Sequence, residues 1–344
     1  MNNKYAFSAD IRQALGPLYA LNNWRGPLAV LEDYVIMAAA VALGLWHAWL
    51  IPLSVLVIGA RQRALASVLH ESCHMTLARH RGLNDFLGKW LAGMAIFQSH
   101  AAYRLSHVRN HHTFLGDPDR DPDYINCIDT GLYGVRDSRV FLRQFVLKTV
   151  LLGNVPSYLQ YLVAHRLGTM LSNPREAFGL VLIQALLIGA LTQVGGWSGY
   201  LVYWLLPYFT AFQIIGWLSE ICEHYRLYER RHSRLEMTRN RFPAWWERLF
   251  IGMHGDNYHL THHLFAGLPF WNLGRAHTIM QADPEYARLN SKRGGIVSAP
   301  GDRISVLREI VADIDLCSSA AFRPVQVGAG TDAANDALAC ERDA

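Results

Sequence analysis

The chain has 344 residues, of which 51% are hydrophobic and 17% are charged, whereas charged residues make up about 25% of ordinary soluble domains. The net charge of +4 is mild and the basic residues flank apolar runs, which favours membrane loops over a nucleic-acid surface. Residues 34–60 and 177–219 contain no Asp, Glu, Lys or Arg. Since about 20 mostly apolar residues span a bilayer, this is an integral membrane protein, and disordered, fibrous or small secreted classes are excluded.

The first half of the chain predicts one hydrophobic hairpin followed by interfacial elements. Residues 1–33 are polar to mixed and are expected to form a cytosolic N-terminal segment. The first hairpin occupies residues 34–69, with its tip at 47–52. Residues 86–103 are short for a full span and suit a re-entrant or interfacial element. Residues 141–165 mix apolar and basic side chains, as an interfacial amphipathic helix does.

A second hairpin is predicted at residues 177–219, because GGWSG at 195–199 is a turn signal between two long apolar segments. The membrane domain then covers residues 34–294. Residues 295–344 are rich in Ala, Gly and Asp and are expected to form a polar, partly disordered tail.

Lys and Arg crowd one side of both hairpins, and the positive-inside rule makes that side cytosolic, together with both termini. In a bacterium this would be the cytoplasmic membrane. The predicted fold is all-α, with about four transmembrane helices in two hairpins, interfacial helices and a cytosolic histidine-rich cap.

Histidine is over-represented, with 16 residues. Eight of them form three clusters, and a further candidate follows the second hairpin. They are His70 and His74; His107, His111 and His112; His259, His262 and His263; and, after the hairpin, His224. Because residues three or four apart share one face of a helix, each cluster can direct two or three imidazoles to one point. Without a metal, such clusters would leave buried polar groups unpaired or would repel one another when protonated.

The number of histidines bears on which metal is bound. Imidazole suits zinc, copper, iron and nickel, and zinc takes three or four protein ligands. Eight or nine histidines exceed one zinc site and fit two ions with four or five ligands each. On chemical grounds, iron is the natural choice for two metals that must handle O₂ and redox chemistry.

The order HxxxH, HxxxHH and HxxHH resembles the membrane fatty acid desaturase family. NYHLTHHLF at 257–265, the following Pro269 and the Asp-Pro run after the second cluster match the family's surroundings, and the resemblance covers roughly residues 30–290. It implies two iron ions in a non-haem diiron centre, O₂ as co-substrate and the alkyl chain of a fatty acyl lipid as substrate. It also implies that the three clusters are the ligands and that His224 is the additional histidine that the family often supplies.

One position departs from the family's pattern. Some relatives place an Asn four residues before the additional histidine, where it holds a metal-bound water, and this chain has Glu220 there. Glu220 is therefore expected to contact the metals through water or to lie behind the ligands.

The resemblance also bears on the reaction and the partners. Desaturation is the expected reaction, with acyl-chain hydroxylation or oxidative decarboxylation as alternatives, and an apolar tunnel is expected between the helices. The chain has no cytochrome b5-like segment, CxxC pair or GxGxxG fingerprint. Electrons are thus expected from a separate carrier of the ferredoxin, rubredoxin or cytochrome b5 type and its reductase.

HESCH also satisfies the zinc-protease motif H-E-x-x-H, with Glu71 as general base. That alternative leaves six clustered histidines unexplained. In the diiron interpretation, Glu71 orients a ligand imidazole through its other ring nitrogen, and Asp256 and Glu223 are candidates for the same role. His254 is expected either behind the ligands or at the surface, and the Asp run at 117–123 is expected to be a capped loop. A non-catalytic membrane metal-binding protein remains a further alternative.

Overall fold

The computed structural model describes residues 5–228 and 233–321, which are arranged as helices joined by turns. Four helical stretches are long and apolar enough to span a membrane, judged by length and composition. In chain order, a short helix at Ala9–Leu15 (α1) precedes the four stretches, which are Arg25–Trp46 (α2), Ala48–Cys73 (α3), Pro174–Ser198 (α4) and Leu201–His224 (α5). The predicted all-α fold with two hairpins of spanning helices is confirmed.

Shorter helices fill the segments outside the hairpins. Between α3 and α4 lie Arg81–Asp85, Phe86–Gly93, His100–Tyr103, Arg104–His111, His112–Phe114, Pro122–Asp129, Leu132–Gly134, Ser138–Phe141, Leu142–Leu147, Lys148–Val150, Val155–Tyr161, Leu162–Leu167 and Gly168–Ser172. After α5 lie Arg234–Glu236, Trp245–Arg248, His259–Leu264 (α6), Phe270–Met280 (α7), Pro284–Ser291 (α8) and Val306–Ala321 (α9). The apolar segment predicted at 86–103 is divided between two short helices, and the one predicted at 141–165 is divided among several.

Exposed tryptophans mark the tips of both hairpins. Trp46 and Trp49 are 71% and 75% exposed at the first tip, and Trp197 is 85% exposed at the second. The two tips lie side by side, since a Cβ on Gly195 would be 3.9 Å from Leu45 Cδ2. Tryptophan at helix ends is typical of a membrane–water interface, so the pattern suits two hairpins that turn at the same membrane surface.

The first hairpin extends beyond its apolar run at both ends. α2 begins well before residue 34, and α3 continues past Arg61 to Cys73. The extension includes charged residues because they pair: Arg61 lies 3.2 Å from both Glu32 and Asp33. Such pairing lowers the cost of placing charges within a membrane helix.

Small residues bring α3 and α5 close together. A Cβ placed on Gly59 would lie 2.6 Å from Ala211 Cβ and 2.9 Å from Pro207 O. Helices in lipid associate mainly through such close packing, because lipid tails are as apolar as the helices themselves. This contact holds the two helices that carry His70, His74 and His224 towards the site.

Both described ends of the chain pack onto the helical core. Ile11 of α1 is buried in a cluster with α7, and Ile310 and Ile314 of α9 are buried against the end of α5. The start of the predicted tail at 295–344 thus contains a helix whose apolar positions, four residues apart, face the core. Residues 322–344 lie outside the described part of the chain, and the division into domains stays a prediction.

Candidate metal centre

Nine histidines, here called the histidine cage, converge beside the ends of α3 and α5. They are the nine that the sequence singled out, and they divide into two groups. In the five-histidine group, the ligand nitrogens of His70, His74, His107, His112 and His262 all lie within 4.8 Å of one another. The four-histidine group is formed by His111, His224 and His263, with ligand nitrogens within 4.8 Å of one another, and by His259, whose Nε2 is 3.0 Å from His224 Nε2.

The structure divides the second and third sequence clusters between the two groups. His107 and His112 face the first group while His111 faces the second. The segment Arg104–His111 is a π-helix, in which the His112 N–H donates to His107 O, a step of five residues. From the sequence, each cluster could direct its imidazoles to one point, and the structure divides these two clusters instead. The third cluster is divided although it lies on the α-helix His259–Leu264, because His262 faces the first group while His259 and His263 face the second.

Distances within the cage match those of ligands on a shared ion. In the four-histidine group, His263 Nε2 is 3.1 Å from His259 Nε2 and 3.4 Å from His111 Nε2. In the five-histidine group, His112 Nε2 is 3.2 Å from His107 Nε2 and 3.1 Å from His262 Nε2. Metal–imidazole bonds are about 2.0–2.1 Å long, so two nitrogens on one ion lie about 3.0–3.4 Å apart.

Acceptors behind the rings determine which nitrogen faces the centre. His111 Nδ1 is 2.9 Å from Asp121 Oδ1, and His224 Nδ1 is 3.1 Å from Met237 O. A ring that donates from Nδ1 carries a bare lone pair on Nε2. Lone pairs on neighbouring Nε2 atoms repel one another unless a cation lies between them, so the donor set fits metal ions.

His74 provides an independent sign of the same fit. Its Nε2 is buried and has no hydrogen-bond partner within residues 5–228 and 233–321. Nearly all buried polar groups are paired, and this atom belongs to the five-histidine group, where an ion would satisfy it.

Burial keeps most of the cage neutral, which is the form that binds metal. Burial lowers the pKa of His107 to about 3, against the opposing effect of Asp123. Burial and neighbouring imidazoles also lower the pKa far below its usual value at five other positions, His74, His112, His259, His262 and His263. His111 differs: burial lowers its pKa, but Asp123 and Asp121 outweigh burial and raise it to about 9. These carboxylates stabilise positive charge on that ring, whether from a proton or from a metal.

Glu71 lies behind the five-histidine group. Its Oε1 is 3.3 Å from His70 Nδ1, and its Oε2 accepts hydrogen bonds from Thr76 Oγ1 and from the Phe270 N–H. This is the geometry expected of a carboxylate that orients a ligand. Because both oxygens are occupied, the carboxylate is poorly placed to act as the base of a zinc protease.

Asp256 is held by cations. Its carboxylate pairs with Arg63 at 3.3 Å and with Arg241 at 2.7 Å, and Arg241 also pairs with Glu223. Glu223 lies nearer the histidine cage, because its Oε2 is 3.6 Å from His259 Nε2. The sequence named both acids for the same role, but only Glu223 approaches an imidazole at this distance.

Glu220 and His254 lie outside the two histidine groups. Glu220 lines the cavity beside the cage, and its Oε1 is 4.0 Å from Cys127 Sγ. His254 Nε2 is 2.8 Å from Asp33 Oδ2 of α2. The loop that carries His254 turns sharply, with φ values of 88° at Gly252, 52° at His254 and 75° at Gly255.

The sequence did not single out Asp121, which lies behind the cage, or Asp33, which lies behind the cavity-lining His254. Asp121 is fully buried; besides contacting His111, it accepts the Gly116 N–H and caps the helix Pro122–Asp129. The run at 117–123 is a capped loop, as expected, but nothing in its spacing singled out Asp121. Asp33 is a buried acid within a membrane-spanning helix, and such a residue is itself a signal of function.

A cavity of about 1010 Å³ opens beside the cage, and its lining includes His70, His107 and His224. It is as large as the pockets that hold small ligands, which are about 300–1,000 Å³. An apolar tunnel is expected from the sequence, whereas the lining of this cavity is mixed. Apolar residues such as Phe212, Trp217 and Leu152 alternate with polar ones such as Gln98, Asn126, Thr130 and Gln213.

Comparison with known proteins identifies the class. Residues 46–292 match the fatty acid desaturase family. The chain is 34% identical over 313 residues to the dihydrorhizobitoxine desaturase of Bradyrhizobium elkanii, covering 88% of this chain and 89% of that protein. It is 24% identical over 272 residues to the sn-1 acyl-lipid omega-3 desaturase (ferredoxin) of Nostoc sp. (strain 36), covering 71% and 72%. The chain belongs to the fatty acid desaturase family and is a desaturase-type oxidoreductase.

Proposed function

We propose that the histidine cage holds two iron ions and that the enzyme uses O₂ to introduce a double bond into the alkyl chain of a fatty acyl lipid. The observation that carries this proposal is the convergence of nine imidazoles, several of them held from behind at Nδ1. One ion would be bound by His70, His74, His107, His112 and His262. The other would be bound by His111, His224, His259 and His263.

Bound iron would supply the activation of O₂ and the removal of hydrogen from an unactivated C–H bond. Per turnover, two hydrogens leave adjacent carbons, two electrons and two protons enter, and O₂ becomes two waters. The protein binds and orients the reactants. Glu71 and Asp121 fix ligand rings, and the cavity places one segment of the substrate beside the cage.

The electrons are proposed to come from a separate carrier of the ferredoxin, rubredoxin or cytochrome b5 type, with its reductase. The name of the Nostoc relative includes ferredoxin, which favours the first of these. The arginines near the cage, with the tryptophan-marked tips at the opposite membrane surface, support a cytosolic location for the histidine cage and for both termini.

A second candidate substrate is a smaller polar molecule. It is favoured by the polar side chains on the cavity wall, and the Bradyrhizobium relative is named for dihydrorhizobitoxine and not for an acyl lipid. Desaturation of such a molecule would use the same metals and the same electron supply, so the two candidates differ only in what occupies the cavity.

The test is heterologous expression with a matched carrier and reductase, followed by mass spectrometry of lipids and of polar metabolites. We expect an O₂-dependent product that lacks two hydrogens, and we expect the His263→Ala variant to form none. An added oxygen would indicate hydroxylation, and loss of the carboxyl carbon would indicate decarboxylation. If neither lipids nor polar metabolites change while iron stays bound and reducible, the proposed function is wrong.

A further inference from the structure

The two halves of the cage are unequal in histidines. One group offers five imidazoles, and the other offers four. If the two ions have similar coordination needs, the four-histidine group lacks one protein donor. One donor from another side chain would complete it.

Glu223 lies at that position. It precedes the ligand His224 at the end of α5, and its side chain is buried. The ligand atoms of Glu223, His224 and His259 all lie within 4.8 Å of one another. The distance from Glu223 Oε2 to His259 Nε2 is 3.6 Å. A carboxylate oxygen and an imidazole nitrogen that each lie about 2.0–2.2 Å from one ion are separated by about 3–4 Å.

Glu223 Oε2 approaches the nitrogen of His259 that faces the centre of the cage. His259 Nε2 is the atom that also faces His224 Nε2 and His263 Nε2. Asp123 is the instructive contrast, because its Oδ2 lies 3.3 Å from His111 Nδ1 and 3.9 Å from His107 Nδ1, behind those rings. Asp123 therefore orients imidazoles, whereas Glu223 shares the space into which the imidazoles point.

A simpler reading makes Glu223 only a counter-ion for Arg241. Arg241 is fully buried, and its Nη2 lies 2.9 Å from Glu223 Oε1. However, the same Nη2 is 2.7 Å from Asp256 Oδ2, so the guanidinium keeps a carboxylate partner without Glu223. The ion pair also uses Oε1, which leaves Oε2 on the side of His259.

We propose that Glu223 binds the metal of the four-histidine group through Oε2, so that each group provides five protein donors. This inference rests on the proposed two-iron function and deepens it. An anionic oxygen ligand on one ion only would make the two irons chemically different, because carboxylates are harder ligands than imidazoles. Arg241 then acts as a positioning residue that holds the other oxygen.

The experiment is anaerobic titration of the full-length, metal-free protein in detergent with ⁵⁷Fe(II), read by bound iron per chain and by Mössbauer spectroscopy. In wild type we expect two irons in two distinguishable environments. In Glu223→Gln we expect one of the two to bind at least about 10-fold more weakly, since even groups behind the ligands cost about 10–100-fold. The signal of the other iron should be unchanged.

Three further variants separate ligation from charge balance. Glu223→Asp keeps the charge, but its shorter side chain moves the oxygen away from the metal position. One iron should therefore again bind more weakly. Arg241→Gln removes the ion pair and keeps the carboxylate, so both irons should still bind, and any loss of affinity should be smaller than in Glu223→Gln. Glu309→Gln makes the same chemical change in a carboxylate of α9 that pairs with Arg239, and it should leave both irons as in wild type.

The outcomes are distinguishable. Two irons with wild-type affinity and spectra in Glu223→Gln would overturn the inference and leave the proposed function intact. Equal losses of iron affinity in Glu223→Gln and Arg241→Gln would also overturn it, because they would show that Glu223 acts only through its ion pair with Arg241. If Glu223→Gln does not fold, as judged by gel filtration, unchanged iron binding in Glu223→Asp overturns it. Fewer than two irons in wild type would instead count against the proposed function.

Discussion

The membrane hairpins and the histidine cage are held together by different physics. In the most apolar 18-residue stretch of each helix, only 17% is buried inside the protein in α4 and 33% in α2. Helices in lipid satisfy their own backbone hydrogen bonds. The cage, by contrast, is a buried polar cluster in which His70, His111 and His224 each have an acceptor behind the ring at Nδ1, and the proposed ions would satisfy the nitrogens that face one another. The comparison teaches that fold and chemistry are separable, and that substitutions should affect one without the other.

The largest expected effect is the loss of one ligand. His263 stacks on His112 with ring centroids 4.3 Å apart, where the two groups meet. His263→Ala should lower product formation by more than about 100-fold, because even residues behind metal ligands cost about 10–100-fold. The protein should still reach the membrane and elute as a single peak after detergent extraction. If the variant misfolds, the fold depends on this ligand, and the proposed independence of fold and chemistry is wrong.

A smaller effect is expected from a residue behind the ligands. Asp121→Asn keeps the shape of the side chain and the helix cap, since Asn caps as well as Asp, but it removes the charge beside His111 Nδ1. Iron affinity should fall by about 10–100-fold, measured by titration of the metal-free protein. The control is Asp117→Asn, in the same loop but paired with exposed Arg120. A loss of equal size in the control would mean that the loop matters only as a whole.

The sequence was most informative where a feature depends on residues that are close together in the chain. Apolar runs predicted both hairpins, eight cage residues were found from histidine clusters, and His224 was found from its position after the second hairpin and from the family resemblance. What it could not predict depends on contacts between distant residues. Asp33 and His254 are 221 positions apart, and no local pattern joins them. The division of His107 and His111 between two groups depends on a π-helical segment, which has no clear sequence signal. The start of α2 was missed because its charged residues Glu32 and Asp33 are paired with Arg61 on the neighbouring helix.

A substitution that disturbs packing in the hairpins should lower stability and leave iron binding unchanged, which is the reverse of a substitution in the histidine cage. Gly59→Ala adds a Cβ that would lie 2.6 Å from Ala211 Cβ, and overpacking costs about 1–3 kcal/mol. The thermal midpoint in detergent should fall. Iron per folded chain should stay as in wild type. The matched control is Gly189→Ala on α4, where the added Cβ would meet no described atom within 4 Å apart from the adjoining backbone of its own helix. It should be neutral or slightly stabilising, because Ala favours helix over Gly.

The smallest effect is expected at the hairpin tip. His47 lies between Trp46 and Trp49, with ring centroids 4.8 Å and 6.3 Å away, and it is far from the cage along both helices. His47→Ala should leave iron content, product formation and thermal midpoint at wild-type values. A loss of bound iron in this variant would show that the histidines were assigned to the wrong roles.

The most direct test of the central claim is an anomalous difference map recorded at the iron absorption edge from crystals of the iron-loaded enzyme. The account predicts two peaks, one enclosed by His70, His74, His107, His112 and His262 and the other by His111, His224, His259 and His263. A single peak, a zinc signal in place of iron, or peaks away from these nitrogens would contradict it.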